Sequence, residues 1–176
     1  MKNDNFYIPP IQNDVDMTFD IDCGRFNYRV GAIIIDNGCV LMAKNKSVRY
    51  FYSVGGRVRF GETSSQAVVR EAFEETGIMF EIDRLGFVYE NFSFMQYRGK
   101  HFHGISFYYY LKNPSSWTDL KLAFYDKDAN DHESDHILKW IPLDKIKSYN
   151  LVPEFFKTEL IKPSQSIMHI VETGEM

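Results

Sequence analysis

Cysteine is scarce in this chain of 176 residues, which contains only Cys23 and Cys39. Two scattered cysteines exclude a disulfide framework and a cysteine-based zinc site, so a reducing compartment is expected. Long apolar runs are missing as well, since none approaches the length of a membrane span. The N-terminal residues MKNDNFYIPPIQND also lack the apolar core of a signal peptide. The sequence therefore predicts a cytoplasmic protein without membrane attachment.

Net positive charge is absent too, because the formal net charge is −4. A general nucleic-acid binder would normally carry a basic surface, so we expect small-molecule rather than nucleic-acid partners. Hydrophobic residues make up 44% of the chain and charged residues 25%, which is ordinary for a globular protein. This length and composition predict one domain with a sizeable core.

The most informative charge lies in one segment, Gly56–Ile78, which reads GRVRFGETSSQAVVREAFEETGI. Thr63 followed three residues later by Gln66 has the form of a capping box, which begins helices. Gly77 suits the left-handed position that ends a helix. The segment therefore predicts a helix over Ser64–Thr76.

Three carboxylates in this helix, Glu71, Glu74 and Glu75, are spaced to share one face. Their repulsion would cost about 0.2–0.5 kcal/mol per pair on an exposed helix, which favours a bound cation. Oxygen ligands select hard cations such as Mg²⁺ or Mn²⁺, and Mg²⁺ is usually shared with substrate phosphates. The alternative from the residues alone is a solvated acidic surface. The opposite helix face is expected to pack on the core through Val69, Ala72, Phe73 and Thr76.

The segment resembles the Nudix box, G-x5-E-x7-R-E-U-x-E-E-x-G-U, where U is a bulky aliphatic residue. Gly56, Glu62 and the run Arg70–Ile78 meet every fixed position, and Ala72 at the first U is the one soft departure. The order of elements extends the resemblance over most of residues 25–150. It implies an α/β protein, the Nudix-type α/β/α sandwich with a mixed β-sheet.

The resemblance further implies a metal-dependent hydrolase that cleaves the pyrophosphate bond of a nucleoside diphosphate linked to another moiety. The implied cofactor is Mg²⁺ or Mn²⁺. Its ligands by position in the box are the side chains of Glu71, Glu74 and Glu75 and the backbone carbonyl of Gly56. Water would attack a phosphorus atom while metal offsets the charge.

Two further roles follow from the resemblance. Glu62 and Arg70 would form the ion pair that fixes the loop to the helix, with phosphate contact by Arg70 as the alternative. The base that deprotonates water would be a box glutamate, Glu74 or Glu71, or a glutamate in a later loop. For the later loop we choose Glu133, which precedes the predicted strand at Trp140. A solvated polar loop is the alternative there.

Residues outside the box leave the substrate open. Arg49, Tyr50 and Tyr97 are the candidate substrate contacts, and Tyr97 lies roughly where Nudix enzymes that cleave dinucleoside polyphosphates carry a tyrosine. The proline of many ADP-ribose-cleaving members is missing from residues 86–113. His101 and His103 share one strand face, where packing is the simpler interpretation and a metal pair the alternative.

The chain is predicted to have three parts: a lead-in with a short strand over residues 1–24, the Nudix core over 25–150, and a C-terminal helix and strand over 151–176 packed on the core. The alternative function is a Nudix module that senses a nucleotide ligand without turnover, which a degraded box would favour. Isoprenyl diphosphate isomerisation needs an active-site cysteine, and neither cysteine is placed for it. A homodimer is compatible with the resemblance.

Overall fold

The computed structural model describes residues 14–96, 98–114 and 136–174. Most of the described chain is in β-strands, and one long helix, α1, follows the fifth strand. The elements in chain order are β1 (Thr18–Ile21), β2 (Gly24–Ile33), β3 (Ile35–Asp36), β4 (Cys39–Asn45), β5 (Phe51–Ser53), α1 (Ser64–Thr76), β6 (Glu81–Met95), β7 (Lys100–Lys112), β8 (His136–Pro142), a 3-10 helix (Leu143–Ser148), β9 (Leu151–Val152), α2 (Phe156–Glu159) and β10 (Met168–Thr173).

The strands form two sheets with mixed pairing. The first sheet has the order β1-β2-β7-β6-β10, with parallel pairing of β2 to β7 and of β10 to β6 and antiparallel pairing of β6 to β7. The second has the order β3-β4-β5-β9, with β8 paired to β4. The predicted α/β fold with mixed strand pairing is confirmed, and the pairing divides over two sheets.

Helix α1 begins and ends where its capping residues predict. The Thr63 hydroxyl accepts a hydrogen bond from the Gln66 backbone N–H at 3.2 Å, and the Gln66 side chain accepts one from the Thr63 N–H at 2.9 Å. Gly77 has a φ of 74° and donates its N–H to the Phe73 carbonyl at 2.7 Å. The predicted bounds, Ser64–Thr76, are confirmed.

The prediction for the rear face of α1 is wrong at Phe73, whose exposed fraction is 47%. The fully buried residues of the helix are Ala67, Val68 and Ala72. Residues four apart follow each other along one side of a helix, so Glu71 and Glu75 continue the row that starts at Ala67. The inward face of α1 therefore carries two of the carboxylates.

Two apolar clusters hold the sheets together. One lies under α1, between its alanine and valine side chains and strands β2 and β4. The other surrounds Phe87 and includes Phe156 and Leu160, which follow the Nudix core predicted from the sequence. Within residues 151–176, helix α2 is only 4 residues long, and β10 pairs in parallel with β6. In the described ranges, no helix has the length and apolar character needed to cross a membrane.

Candidate active site

The loop between β5 and α1 begins with Gly55 and Gly56, at two positions that only glycine can occupy without strain. Gly55 has a φ of 143°, and a Cβ there would overlap the Val30 backbone carbonyl. A Cβ on Gly56 would overlap the Glu71 carboxylate. The Gly56 carbonyl accepts a hydrogen bond from the Val30 N–H at 3.0 Å, which leaves one of its lone pairs available. Glycine here lets the backbone lie directly against the helix carboxylates.

Arg70 joins this loop to α1. Its guanidinium makes five hydrogen bonds, which use every N–H it has. Two go to the Glu62 carboxylate, at 2.8 and 2.9 Å, and one goes to the Arg57 carbonyl at 3.0 Å. Burial raises the pKa of Glu62. Hydrogen bonds from the Arg70 side chain and the Arg59 N–H lower it and together outweigh burial, so the pKa lies below its ordinary value.

Arg70 also contacts two of the three α1 carboxylates. Its Nη1 donates to Glu71 at 2.7 Å and to Glu74 at 3.1 Å. Arg59 reaches the other oxygen of Glu74 at 3.5 Å. Residues 70 and 74 are one turn apart and are neighbours on the helix surface, so Arg70 lies among the carboxylates as well as against the loop.

Glu75 is the least satisfied of the three carboxylates. Its Oε1 accepts a 3.4 Å hydrogen bond from the Gly55 N–H, while its buried Oε2 has no hydrogen-bond partner. Burial raises the pKa of Glu75 to about 8; the Gly55 N–H opposes this rise, and the negative charges of Glu71 and Glu74 add to it. A carboxylate in such a position requires either a proton or a cation.

The chemistry of this donor set fits a hard divalent cation. Within the described residues, Glu75 offers an unpartnered carboxylate oxygen, and the Glu71 carboxylate lies against the Gly56 backbone. Among the residues that the structure describes, no three acidic, histidine or cysteine side chains already converge on one point. Arg70 accounts for this, because it holds Glu71 and Glu74. Cation binding at this position would therefore replace contacts to Arg70.

A cavity of about 620 Å³ opens next to Glu75. This volume lies within the roughly 300–1,000 Å³ range of small-molecule sites. Arg29 of β2 lines the cavity. Its guanidinium makes no hydrogen bond or ion pair with the described part of the chain, although its charge lowers the pKa of Glu75. Gly55 and Glu75 also line the cavity, so the Glu75 carboxylate and the Arg29 guanidinium face a common space.

The other candidates fall in different places. Tyr50 lines the cavity, whereas Arg49 does not, and the Arg49 carbonyl instead accepts a hydrogen bond from the Asn150 side chain at 3.4 Å. Glu133 and Tyr97 lie outside the described residues. His103 stacks on Phe92 with ring centroids 4.3 Å apart, which agrees with packing.

Sequence reasoning missed the residues of β2 that face the cavity, Asn27 and Arg29. Both stand in a strand whose later half is fully buried. The available signal was the spacing of Arg25, Asn27 and Arg29, because polar residues at every second position mark one face of a strand.

Comparison with known families identifies the family of the chain. The model of the NUDIX domain matches residues 25–159, which is more than half of the chain. The chain belongs to the NUDIX family. Its enzyme class is that of a Nudix-type pyrophosphohydrolase, acting on phosphorus-containing anhydrides. A search of curated proteins finds no match.

Solved structures show the same fold. The mutator MutT protein from Bacillus halodurans is 17% identical, with a TM-score of 0.56 over 81% of this chain and 86% of that chain. A UDP-X diphosphatase is 16% identical, with a TM-score of 0.52 over 82% and 66%. An ADP-ribose pyrophosphatase from Streptococcus suis 89-1591 is 13% identical, with a TM-score of 0.50 over 83% and 98%. The Nudix-type α/β/α sandwich is thereby confirmed.

Proposed function

We propose that this NUDIX chain hydrolyses the pyrophosphate bond of a nucleoside diphosphate linked to another moiety. The observation that carries the proposal is the inward row of Glu71 and Glu75, which meets the Gly55-Gly56 backbone beside a cavity of about 620 Å³. A purely structural helix would place alanine or leucine in that row. A carboxylate with a buried oxygen that lacks a partner among the described residues, as at Glu75, instead marks a site where charge is needed.

Mg²⁺ or Mn²⁺ would be held by Glu71, Glu74, Glu75 and the Gly56 carbonyl, where it would polarise phosphoryl oxygens and acidify a bound water. The Gly56 carbonyl is available because its hydrogen bond to Val30 uses only one lone pair. Arg70 would hold the carboxylates of Glu71 and Glu74 together before a cation binds. Glu62, which holds the other edge of Arg70, fixes the loop relative to the helix.

The remaining chemistry belongs to side chains around the cavity. The Arg29 guanidinium has a free fork of N–H donors that matches a phosphate group, so it would orient the diphosphate next to Glu75. A water oxygen attacks phosphorus, the bridging P–O bond breaks, and the water proton passes to a carboxylate. Glu74 is our first choice for this base because it is the most exposed of the three and can turn toward the cavity. Glu71 and Glu133 are the other candidates.

A phosphate-release screen tests the proposal. The substrates are nucleotide sugars, dinucleoside polyphosphates, ADP-ribose, NADH and oxidised dNTPs, each with Mg²⁺ and with Mn²⁺. We expect turnover of at least one class that depends on the metal and stops with a chelator. Folded protein that turns over none of them would favour the ligand-sensing alternative. The predicted homodimer and the predicted division at residues 24 and 150 stay predictions.

A further inference from the structure

The cavity has a second end that carries no charge. Its floor is the face of the first sheet, where cross-strand neighbours form rows. Arg29, Ser106 and Tyr89 form one row, and the Arg29 charge in it acts on Glu75. The next row is Asn27, Gly104 and Asn91, and it lies one pleat farther from the α1 carboxylates. Beyond Arg29 and Glu75, no charged side chain in the described ranges lines the cavity.

The second row places two carboxamides on either side of a glycine. Asn27 and Asn91 stand on strands that flank β7, so their backbones are about 10 Å apart. A Cβ on Gly104 would overlap the ring of Phe102, so this ring lies over the glycine between the carboxamides. Phe102 is partly exposed and lines the cavity. A planar group stacked on that ring would present its edges to Asn27 and Asn91.

Asn27 is an unpaired group in this row. Its exposed fraction is 6%, and its Oδ1 has no hydrogen-bond partner among the residues that the structure describes. A buried amide oxygen without a donor destabilises the fold, so this side chain is unfavourable unless a ligand or water supplies the missing hydrogen bond. The group that completes it must bring a hydrogen-bond donor.

Asn91 is held by a chain of hydrogen bonds that starts on β10. The Asn91 side-chain amide donates to the Tyr89 hydroxyl at 2.8 Å, and Tyr89 donates to the Glu172 carboxylate at 2.5 Å. Burial raises the pKa of Tyr89; the Asn91 amide opposes this rise and the Glu172 carboxylate adds to it, so the Tyr89 hydroxyl keeps its proton and is the donor in the bond to Glu172. The direction of each bond is then fixed, and the Asn91 carbonyl oxygen is left as an acceptor.

Glu172 lies in the part of the chain that the NUDIX domain match leaves out. That match ends at residue 159, whereas β10 spans Met168–Thr173 and pairs with β6 so that Glu172 is directly opposite Asn91. The second row thus extends over four strands, from Asn27 to Glu172.

We propose that the uncharged end of the cavity binds the nucleobase of the substrate, and that Glu172 is a positioning residue that sets base selectivity through Tyr89 and Asn91. This inference rests on the proposed function for the diphosphate at the other end. Asparagine carboxamides pair with base edges that present a donor next to an acceptor, and stacking on an aromatic ring adds affinity for any base. The lack of charge disfavours a further phosphate at this end.

Equilibrium binding of AMP, GMP, CMP, UMP and ribose 5-phosphate, measured by calorimetry, tests the proposal without turnover. These probes contain no anhydride bond, so binding is measured separately from hydrolysis. We expect the preferred nucleotide to bind at least about tenfold more tightly than ribose 5-phosphate and than the least favoured nucleotide, as one good base contact provides. Glu172→Ala and Tyr89→Phe should each reduce the preference among bases to about twofold. Binding of ribose 5-phosphate should not change.

Matched variants separate positioning from general damage to β10. Glu90→Ala removes the Glu90–His169 contact of 2.7 Å, which links β6 to β10 on the other sheet face, and should leave base preference unchanged. Glu172→Gln keeps an acceptor for Tyr89 and should retain most of the preference.

Three results would overturn the inference: nucleotides that bind no better than ribose 5-phosphate, no measurable binding at millimolar concentration, or an unchanged preference in folded Glu172→Ala. Base preference without any hydrolysis would instead count against the proposed function alone.

Discussion

The two ends of the cavity are built from very different stretches of sequence. The charged end comes mainly from residues 55–75, where a loop and the helix after it supply the glycines, carboxylates and Arg70. The uncharged end is assembled from β2, β6, β7 and β10, and its residues run from Asn27 to Glu172. The residues of the charged end are neighbours in sequence, whereas those of the uncharged end are brought together by the register of the strands.

This difference separates two kinds of work. The charged end holds three carboxylates close together, and the buried Oε2 of Glu75 requires a proton or a cation. The uncharged end holds neutral amides that can be completed by a ligand or by water. We therefore expect the charged end to govern the rate of the chemical step and the uncharged end to govern which molecule is bound.

The largest expected effect tests the charged end. Glu74→Gln and Glu75→Gln should each lower kcat by about 10²- to 10⁴-fold, because either loses a cation ligand or the base. The measurement is steady-state turnover of the best substrate from the screen, with circular dichroism to show an intact fold. The matched control is Glu81→Gln, an exposed glutamate at the start of β6. Near-normal turnover in both box variants would end the assigned division of labour.

The glycine pair gives the next largest effect and divides stability from activity. Gly55→Ala should lower the free energy of unfolding by about 3 kcal/mol, because its φ is 143° and the new Cβ meets backbone. Gly56→Ala should reduce turnover at least about tenfold with a smaller loss of stability, because its Cβ meets only the movable Glu71 carboxylate. Urea unfolding and kinetics measure the two.

Gly38→Ala is the control for the glycine pair. Gly38 has a φ of 73° but open space around it, so only the backbone strain of about 1–2 kcal/mol should appear. Equal losses of stability at Gly38 and Gly55 would mean that the contact with Val30 contributes nothing.

Arg70 connects the loop to the helix, so its removal tests whether the charged end is held together before a cation arrives. Arg70→Ala should lower the free energy of unfolding by about 2–3 kcal/mol, between the values for exposed and buried ion pairs. The side chains of Arg70 and Glu62 are only 18% and 15% exposed. Arg25→Ala, which breaks an exposed 3.7 Å pair to Asp20, should cost no more than about 1 kcal/mol. Chemical denaturation compares them, and equal losses would contradict the role of Arg70.

How much the sequence predicts follows the same division. Helix bounds and both caps depend on residues within one turn, so spacing alone places them, whereas the Glu62–Arg70 contact was implied by the resemblance to the Nudix box. The same helical spacing also indicates that Glu71 and Glu75 lie on the inward side of α1, in the row of Ala67. Their negative charge, however, favours the interpretation that they face solvent. Asn27, Asn91 and Glu172 converge only because β2, β7, β6 and β10 pair in one register, which no local pattern specifies. The residues of β10 carry no motif at all.

The smallest expected effect, and the most discriminating for the uncharged end, comes from Asn27→Leu. The variant replaces a 6% exposed amide whose oxygen lacks a partner with an apolar side chain of similar size. Removing an unsatisfied polar group should raise the free energy of unfolding by about 1 kcal/mol. The same change should weaken nucleotide binding, because the carboxamide that reads the base edge is gone.

The matched comparison for Asn27→Leu is Ser53→Ala, which alters another nearly buried polar residue of the cavity wall at the charged end. Thermal unfolding without ligand and calorimetry with the preferred monophosphate measure the two consequences separately. A more stable variant that binds the monophosphate less tightly would show that Asn27 contributes to ligand binding at the expense of stability. A less stable protein would mean that the Asn27 amide is satisfied within the fold, and the uncharged end would then lose the residue that most clearly requires a ligand.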